Sequence, residues 1–527
     1  MKSRALLAGV VLSTALVSGG WLVERGLIGS RPSTTDRGRM FNQVLQHIAR
    51  DYVDTLADSA IFTRAAEGLL DELRDPYSAY LSPTLYKSLT ERTEGKYAGI
   101  GANVDVRDDW PTVVQALPGG PAIAAGIQSG DRIADVDGHP MRGKTNEEFQ
   151  KMLRGAPGSV VRLTIERPGV ATALKFALTR SEIRVASVRN ATLLEGGEGY
   201  VALAIFSDSS SVDLRRAIDS LRGIGMKTLF FDLRGDPGGL LAQGVSVSDL
   251  FLDARQRIVT IRGRTPEASQ TFDDHASQPW PTLPMVMLVD SNTASAAEIV
   301  AGALQDHDRA VVVGTTTYGK GSAQNLFPLT DGGAAKLTTA LWFTPSGRSI
   351  NRKRATDADD DGGVDSTGDT KRRPKFRTDA GRTVLGGGGI TPDVIYGKAA
   401  RPASDTVFQR ALGKQIPQFS DALTAYAISM KASGTVLSPD FVVTPQMRAE
   451  LLKRMRARGI TVDEATYNAA SSLIDRVVGY EVTRYVFGEQ AYFMRRLRDD
   501  AIMAKARAFA RGATTQQQLL DRAVDAK

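Results

Sequence analysis

Between Gly199 and about Asp393, uninterrupted apolar strands alternate with helical segments, and this alternation restricts the fold more than any other feature of the chain. Residues 228–233, 283–289, 310–313 and 337–343 read as strands, and 238–252 and 295–305 as helices. A strand with one wet face alternates polar and apolar residues, whereas continuous apolar strands separated by helices demand a sheet covered on both sides. The segment is therefore an α/β core. The chemistry is expected at its strand-to-turn-to-helix junctions.

Two such junctions stand out. Phe231-Asp232-Leu233-Arg234 runs into Gly235-Asp236-Pro237-Gly238-Gly239, where missing side chains expose backbone N–H groups at a helix start. Val289-Asp290 runs through Ser291-Asn292-Thr293-Ala294 to Ser295, at the first turn of the next helix. Unpaired N–H groups and the positive end of the helix dipole meet there on any negative charge formed beside the serine, as acyl transfer requires. From these residues alone, the reading of Ser295 as a helix cap is favoured.

A serine nucleophile needs a base, and with zero cysteines the chain has no thiol chemistry, no Cys-ligated metal and no disulfide scaffold. Of the four histidines, His47 lies in an N-terminal helical segment, His139 in a turn and His275 in a Pro-flanked loop. His307 follows the Ser295 helix about 12 residues on, some 18 Å along its axis. A Ser-His-Asp arrangement is thus poorly supported, and lysine remains. Lys320 is the best candidate, between glycines in Tyr318-Gly319-Lys320-Gly321-Ser322 just after an apolar strand, though taken in isolation a solvated turn lysine is the favoured reading. To accept a proton near neutrality its pKa would have to fall from about 10.4 to about 7–8.

The rest of the 527 residues makes room for roughly three to four domains. Lys2 and Arg4 precede an apolar run of about 19 residues, an export signal over 1–25 that is either cleaved or kept as a membrane anchor. A polar linker over 26–38 leads to a helical region at 39–95, with apolar residues at helical spacing from Met40 to Leu73. Residues 96–181 carry short β-rich runs between Gly/Pro/Asp turns. Their opening, Gly99-Ile100-Gly101-Ala102, together with Ala125-Gly126-Ile127-Gln128-Ser129-Gly130-Asp131-Arg132-Ile133, resembles a PDZ domain, which implies that Gly99, Ile100, Gly101 and Ala102 bind a peptide's C-terminal carboxylate. Residues 182–400 are assigned to the core and 401–527 to a helical region with 19 Lys/Arg against 13 Asp/Glu. That region holds most of a net charge of +7, too modest at this length to indicate a nucleic-acid binder. Its basic surface is read chiefly as a solvated face.

Thr293-Ala294-Ser295-Ala296-Ala297-Glu298, with Lys320 25 residues after the serine and Gln324 four later, resembles the carboxyl-terminal processing peptidases, the tail-specific serine proteases. The likeness extends over about 60–400 and takes in Asp75-Pro76-Tyr77-Ser78, Asp232-Leu233-Arg234, Pro237-Gly238-Gly239 and Thr344-Pro345-Ser346-Gly347-Arg348. It implies a multidomain α/β protein: a crotonase/ClpP-like α/β protease core, a small β-rich PDZ domain and helical N- and C-terminal regions. It further implies Ser295 as nucleophile, Lys320 as general base and Gln324 orienting the lysine. The oxyanion hole would be the N–H groups of Gly239 and Ala296, with Gly238 or Leu240 as alternative first donors. Arg154 matches a family position proposed to report PDZ occupancy to the core, and Asp306 is read as structural. The partners implied are proteins with exposed C-termini, no cofactor is required, and the location is extracytoplasmic, periplasmic or anchored in the inner membrane facing outward. A homo-oligomer through the helical regions is a further expectation.

One segment departs from the family pattern. An acidic insert at 352–388 places Asp357, Asp359, Asp361 and Gly362 as in the start of a calcium loop, with Asp365 at the ninth place, but Gly368 stands where a bidentate Glu belongs. A solvated loop is favoured over calcium. The competing functional reading is a non-catalytic PDZ scaffold that binds protein C-termini. Retention of Ser295, Lys320 and Gln324 together argues against it.

Overall fold

The computed structural model describes residues 34–352, 373–397 and 402–525. The chain divides into two compact units. The smaller, Met1–Pro83 with Asn325–Thr338, holds α1 (Thr34–Asp51), α2 (Asp58–Asp71) and β1 (Ala79–Leu81). The helical spacing from Met40 to Leu73 thus resolves into two helices. Leu45 and Ile61 are buried, while Met40, Val44, Tyr52 and Leu69 stay exposed. The Asp75-Pro76-Tyr77-Ser78 motif closes a turn: the Asp75 carboxylate accepts the Tyr77 N–H at 3.1 Å and the Ser78 hydroxyl at 2.5 Å. Ser78 Oγ in turn accepts the Thr338 N–H at 3.0 Å, beside the antiparallel pairing of Ala79–Leu81 with residues 334–336.

In the larger unit, α3 (Pro83–Glu94) leads into the small β-rich domain. Its elements are β2 (Lys96–Gly99), β3 (Ala102–Arg107), β4 (Trp110–Ala116), α4 (Pro121–Ala124), β5 (Arg132–Val136), β6 (His139–Pro140), α5 (Asn146–Leu153), β7 (Val160–Glu166), β8 (Leu174–Thr179) and β9 (Ser181–Arg184). The antiparallel sheet runs β3-β4-β5-β7-β8, so β3 has a free edge. Val113, Ile133, Val136, Phe149, Val161 and Ile165 fill its core. Thr145 and Glu148 form a reciprocal cap that starts α5.

The α/β core follows as β10 (Val188–Leu194), β11 (Glu198–Leu203), α6 (Ser210–Gly223), β12 (Thr228–Asp232), α7 (Leu241–Asp249), β13 (Arg257–Gly263), β14 (Gln270–Asp273), β15 (Met285–Val289), α8 (Ala296–Asp306), β16 (Val311–Gly314), β17 (Ser322–Pro328), β18 (Ala334–Phe343), β19 (Lys375–Arg377), β20 (Thr383–Leu385) and β21 (Val394–Ile395). The central sheet has the order β10-β11-β12-β15-β16-β21. It is parallel from β11 to β21, with β10 antiparallel at the edge. Alternate residues serve two cores, as the uninterrupted apolar strands require. Leu229, Phe231, Met287 and Val289 pack with residues of α6, α7 and α8, the helices that follow β11, β12 and β15.

The opposite face, with Phe230, Val286, Leu288, Val311 and Val313, is covered from the far end of the chain. After α9 (Ala403–Leu412), α10 (Ile416–Ser433), α11 (Pro445–Ala457), α12 (Glu464–Ala469) and α13 (Ser471–Phe487) have formed a helical core of their own around Phe408, Leu451, Tyr467, Ile474 and Val478, the chain turns back. Residues of α14 (Glu489–Arg498), α15 (Ala501–Ala510) and α16 (Gln516–Asp525), among them Leu497, Met503, Ala506, Leu519 and Leu520, complete the second core. The helical core also holds the β-rich domain: Lys431 Nζ donates to Ser129 O at 2.9 Å, and Arg458 pairs with Asp108 at 2.9 Å.

A buried polar cluster fixes the C-terminal end of α8. The Arg348 guanidinium, fully buried, donates to Asp306 Oδ1 and Gln305 Oε1, each at 2.7 Å, while Ser346 donates its N–H and hydroxyl to Asp306 Oδ2 at 3.0 and 2.7 Å. Arg382 donates to Asp308 and Asp393, each at 2.5 Å. Breaking such a pair strands a charge in a dry site. Asp306→Ala should therefore lower the unfolding free energy by about 3–5 kcal/mol, read from urea denaturation. A loss below the error of that measurement would contradict the structural role.

Candidate active site

β12, β15 and β16 are parallel neighbours in register, Asp232 beside Leu288 and Val289 beside Gly314. Their C-terminal ends line one edge, so the loops that follow them emerge together, the usual place for a site in an open α/β sheet. Those loops carry Gly238 and Gly239, Ser295, and Lys320. Three sequence-distant segments converge because their strands are adjacent.

Short polar groups stitch the first two loops together. Thr293 Oγ1 donates to Leu233 O at 2.9 Å, and Asp290 Oδ1 accepts the N–H groups of Gly235, Asn292 and Thr293 at 2.9–3.1 Å. The Ala294 N–H donates to Asp236 O at 3.0 Å. Gly238 lies against the serine itself: a Cβ there would sit 2.6 Å from Ala294 O, 2.8 Å from Ala296 N and 2.9 Å from Ser295 Cβ. At Gly239 it would sit 2.1 Å from Phe206 O, so neither position admits a side chain. Asp232 and Arg234 brace the same turn from below. Asp232 accepts the Tyr200 hydroxyl at 2.7 Å, and Arg234 bridges Asp232 at 2.6 Å and Asp500 at 2.7 Å, the residue that caps α15.

Ser295 occupies the N-cap of α8 with φ 56° and ψ −119°, a conformation that costs a non-glycine residue of the order of 1–3 kcal/mol. Glu298, fully buried one turn on, holds it there. Its Oε2 accepts the N–H groups of both Ser295 and Lys320 at 2.9 Å, and its Oε1 accepts the Gly319 N–H at 2.7 Å and the Thr317 hydroxyl at 2.5 Å. The Thr317 hydroxyl, which donates to Glu298, also accepts the Ile390 N–H at 2.7 Å. Burial pushes the Glu298 pKa up against the pull of these donors. The backbones of Ser295 and Lys320 are thus neighbours around one oxygen atom.

The Lys320 loop is further fastened by Tyr318 N–H to Thr293 O at 3.0 Å, Trp342 Nε1–H to Lys320 O at 3.1 Å and Arg352 N–H to Gly319 O at 3.0 Å. Gln324, on β17, donates from its amide to Ser322 Oγ at 2.9 Å. At the turn facing Ser295, Gly238 N–H is taken by Asp236 Oδ1 at 2.8 Å and Leu240 N–H by Phe206 O at 2.8 Å. Gly239 N–H and Ala296 N–H have no hydrogen-bond partner among the described residues. They are the N–H groups available to an oxyanion. His307 caps the far end of the 11-residue α8, bonded to Asp379 and Arg257 O at 2.7 Å. His47 pairs with Asp51 in α1, and His139 and His275 are exposed.

A second concavity lies in the β-rich domain. A cavity of about 240 Å³ separates Gly99, Ile100, Gly101 and Ala102 from Phe149, Leu153 and Arg154 on and after α5. The carbonyls of Ile100 and Gly101 are tied back by the N–H groups of Ala122 and Leu117, each at 2.8 Å. The Ile100 and Gly101 N–H groups have no partner among the described residues, and the free edge of β3 adjoins them. This geometry accepts an added strand ending in a carboxylate. Arg154 pairs with Glu91 of α3 at 2.7 Å and stands 5.5 Å from the Tyr97 ring centroid. Asp357, Asp359, Asp361 and Asp365 lie outside the described residues.

The residue that unaided sequence reading passed over is Glu298. In the sequence it is a helix-start glutamate, and only the return of the 317–320 loop turns it into a hub. Glu298→Gln would set an NH2 group against two of its donors. It should cost about 2–4 kcal/mol of stability together with most of the activity. A folded, fully active Gln variant would show that the hub is dispensable.

Residues 197–360 match the family model of peptidase family S41, and residues 112–167 that of a PDZ domain. The chain is 36% identical over 347 residues to the carboxy-terminal-processing protease of Bartonella bacilliformis, covering 65% of this chain and 78% of that protein. It is 32% identical over 359 residues to the carboxy-terminal processing protease CtpA of Bacillus subtilis, covering 67% and 76%. The carboxyl-terminal-processing protease of Picosynechococcus is 37% identical over 290 residues, covering 54% and 69%.

Proposed function

The chain belongs to peptidase family S41 as a PDZ-containing, carboxyl-terminal processing serine protease, and from that premise we propose that Ser295 is its nucleophile and Lys320 its general base. The observation that carries the assignment is the shared Glu298 oxygen, which binds the backbones of both residues beside the Gly238–Gly239 turn. Ser295 Oγ attacks the scissile carbonyl as a neutral Lys320 amine takes its proton. The tetrahedral oxyanion is received by Gly239 N–H and Ala296 N–H. Collapse breaks the C–N bond, and Lys320 returns the proton to the leaving amine. Water then releases the acyl group by the same steps, with Gln324 orienting the lysine.

The PDZ groove recognises the substrate's C-terminus, with Ile100, Phe149 and Leu153 offering an apolar floor. Arg154 reports occupancy, since an incoming carboxylate competes with Glu91 for the guanidinium. We place the protein outside the cytoplasm on the strength of Lys2, Arg4 and the apolar run that follows. These residues lie outside those described, among which no helix is long and apolar enough to cross a membrane. The exposed Met40 and Val44 of α1, Tyr52 just after it and Leu69 of α2 support self-association.

The test is cleavage of an unfolded protein bearing an apolar C-terminus. Ser295→Ala and Lys320→Ala should each reduce kcat/KM by at least about a thousandfold, and cleavage surviving both substitutions would refute the assignment. For the regulatory role, Arg154→Ala should abolish stimulation by an added C-terminal peptide. An unaltered response would sink it.

A further inference from the structure

The turn that presents Gly238 and Gly239 is built around a carboxyl group that the reaction above leaves unused. Asp236 is fully buried. Its N–H donates to Leu233 O at 3.2 Å, its carbonyl accepts the Ala294 N–H at 3.0 Å, and its Oδ1 accepts the Gly238 N–H at 2.8 Å. Its Oδ2 is buried with no hydrogen-bond partner among the described residues. A carboxylate in that position would hold its charge in a dry site with one amide donor.

The charged and titratable groups on the surrounding elements do not compensate. Arg189 on β10 attracts the charged form, but it is exposed and screened by solvent. Arg234, in the same turn, is committed to Asp232 and Asp500. The other ionisable side chains on the adjoining segments, Asp208 after β11, Asp290 in the facing turn and Glu298 beyond Ser295, are carboxyls and supply no positive charge. Lys320 donates its backbone N–H to Glu298 Oε2 at 2.9 Å, and the influences on Asp236 are burial, the Gly238 N–H and Arg189. Burial, the dominant influence, pushes the Asp236 pKa up to about 8.

We propose that Asp236 works as a neutral carboxylic acid, a positioning residue that holds the Gly238–Gly239 turn against Ser295, and that loss of its proton disables the oxyanion site. The proposal rests on the Ser295–Lys320 reading. The acid accepts the Gly238 N–H through Oδ1, which leaves the next N–H, that of Gly239, free for the substrate oxygen. Once ionised, the same group sets a buried negative charge one residue from the place where the tetrahedral intermediate must put its own. Activity then has an upper pH limit set by Asp236.

The experiment compares the full chain with Asp236→Asn and Asp236→Ala in two ways. In kcat/KM against pH, wild type should fall about tenfold per pH unit on the alkaline side of a limb near 8. Asp236→Asn, a neutral acceptor for Gly238 N–H, should stay active and lack that limb, while Asp236→Ala should lose at least about tenfold at neutral pH. In thermal melting, the unfolded carboxyl ionises near 3.8 and the folded one only near 8. The folded state therefore binds the extra proton, and wild-type stability falls with rising pH across that window. The melting-temperature advantage of Asp236→Asn should grow from about pH 4 to about pH 8 and then level off. An Asn variant with the wild-type alkaline limb, or an advantage that does not vary with pH, overturns the proposal. Absence of cleavage by wild type at every pH overturns the Ser295–Lys320 reading instead, and the melting comparison still decides the protonation state of Asp236.

Discussion

Glu298 stands behind everything the site does. Its two oxygens accept four donors, from Ser295, Thr317, Gly319 and Lys320. Two of these belong to the residues assigned to the reaction. Ser295 is held at φ 56°, a strained conformation that survives only where its surroundings over-determine it, and the Glu298 bond to its N–H is part of that restraint. The same carboxyl sets the height of the Lys320 loop. A rigid, shared acceptor thereby replaces the direct mutual support that a Ser-His-Asp arrangement obtains from its own side chains.

How much of this the sequence reveals differs from element to element. The α/β core is legible because continuous apolar strands such as Met285–Val289 cannot face water on either side. The β-rich domain is legible because its glycines fall where a carboxylate-binding loop needs them. Ser295 and Lys320 are picked out by the family resemblance, residue type alone leaving a helix cap and a turn lysine open, while His307 lies at the opposite end of α8 as its spacing predicts. Glu298 is hidden, since a glutamate three residues into a helix is an ordinary capping residue. Asp236 is hidden for another reason: an Asp-Pro-Gly turn reads as exposed, and only tertiary packing buries it.

The glycine turn shows how the site constrains its surroundings. Gly238 and Gly239 admit no Cβ because Ser295, Ala296 and Phe206 occupy the space. Of the donors near that turn, Gly238 and Leu240 are spent on Asp236 and Phe206, which leaves Gly239. Hydrogen-bond accounting therefore discriminates where residue type cannot. Arg234 extends the same turn to the cap of α15, so the reacting edge of the sheet and the helices on its far face share one polar joint.

Those helices have a consequence for the order of events as the chain is made. The second face of the catalytic sheet, with Phe230, Val286, Leu288, Val311 and Val313, is closed only by residues between Leu497 and Ala523. A chain emerging from the ribosome N-terminus first holds Ser295 and Lys320 about two hundred residues before it holds the cover for the strands that position them. Until then the sheet has one wet apolar side and no Asp500 for Arg234 to grip. The sheet that carries these residues can therefore be covered on both faces only after the C-terminal helices have been made.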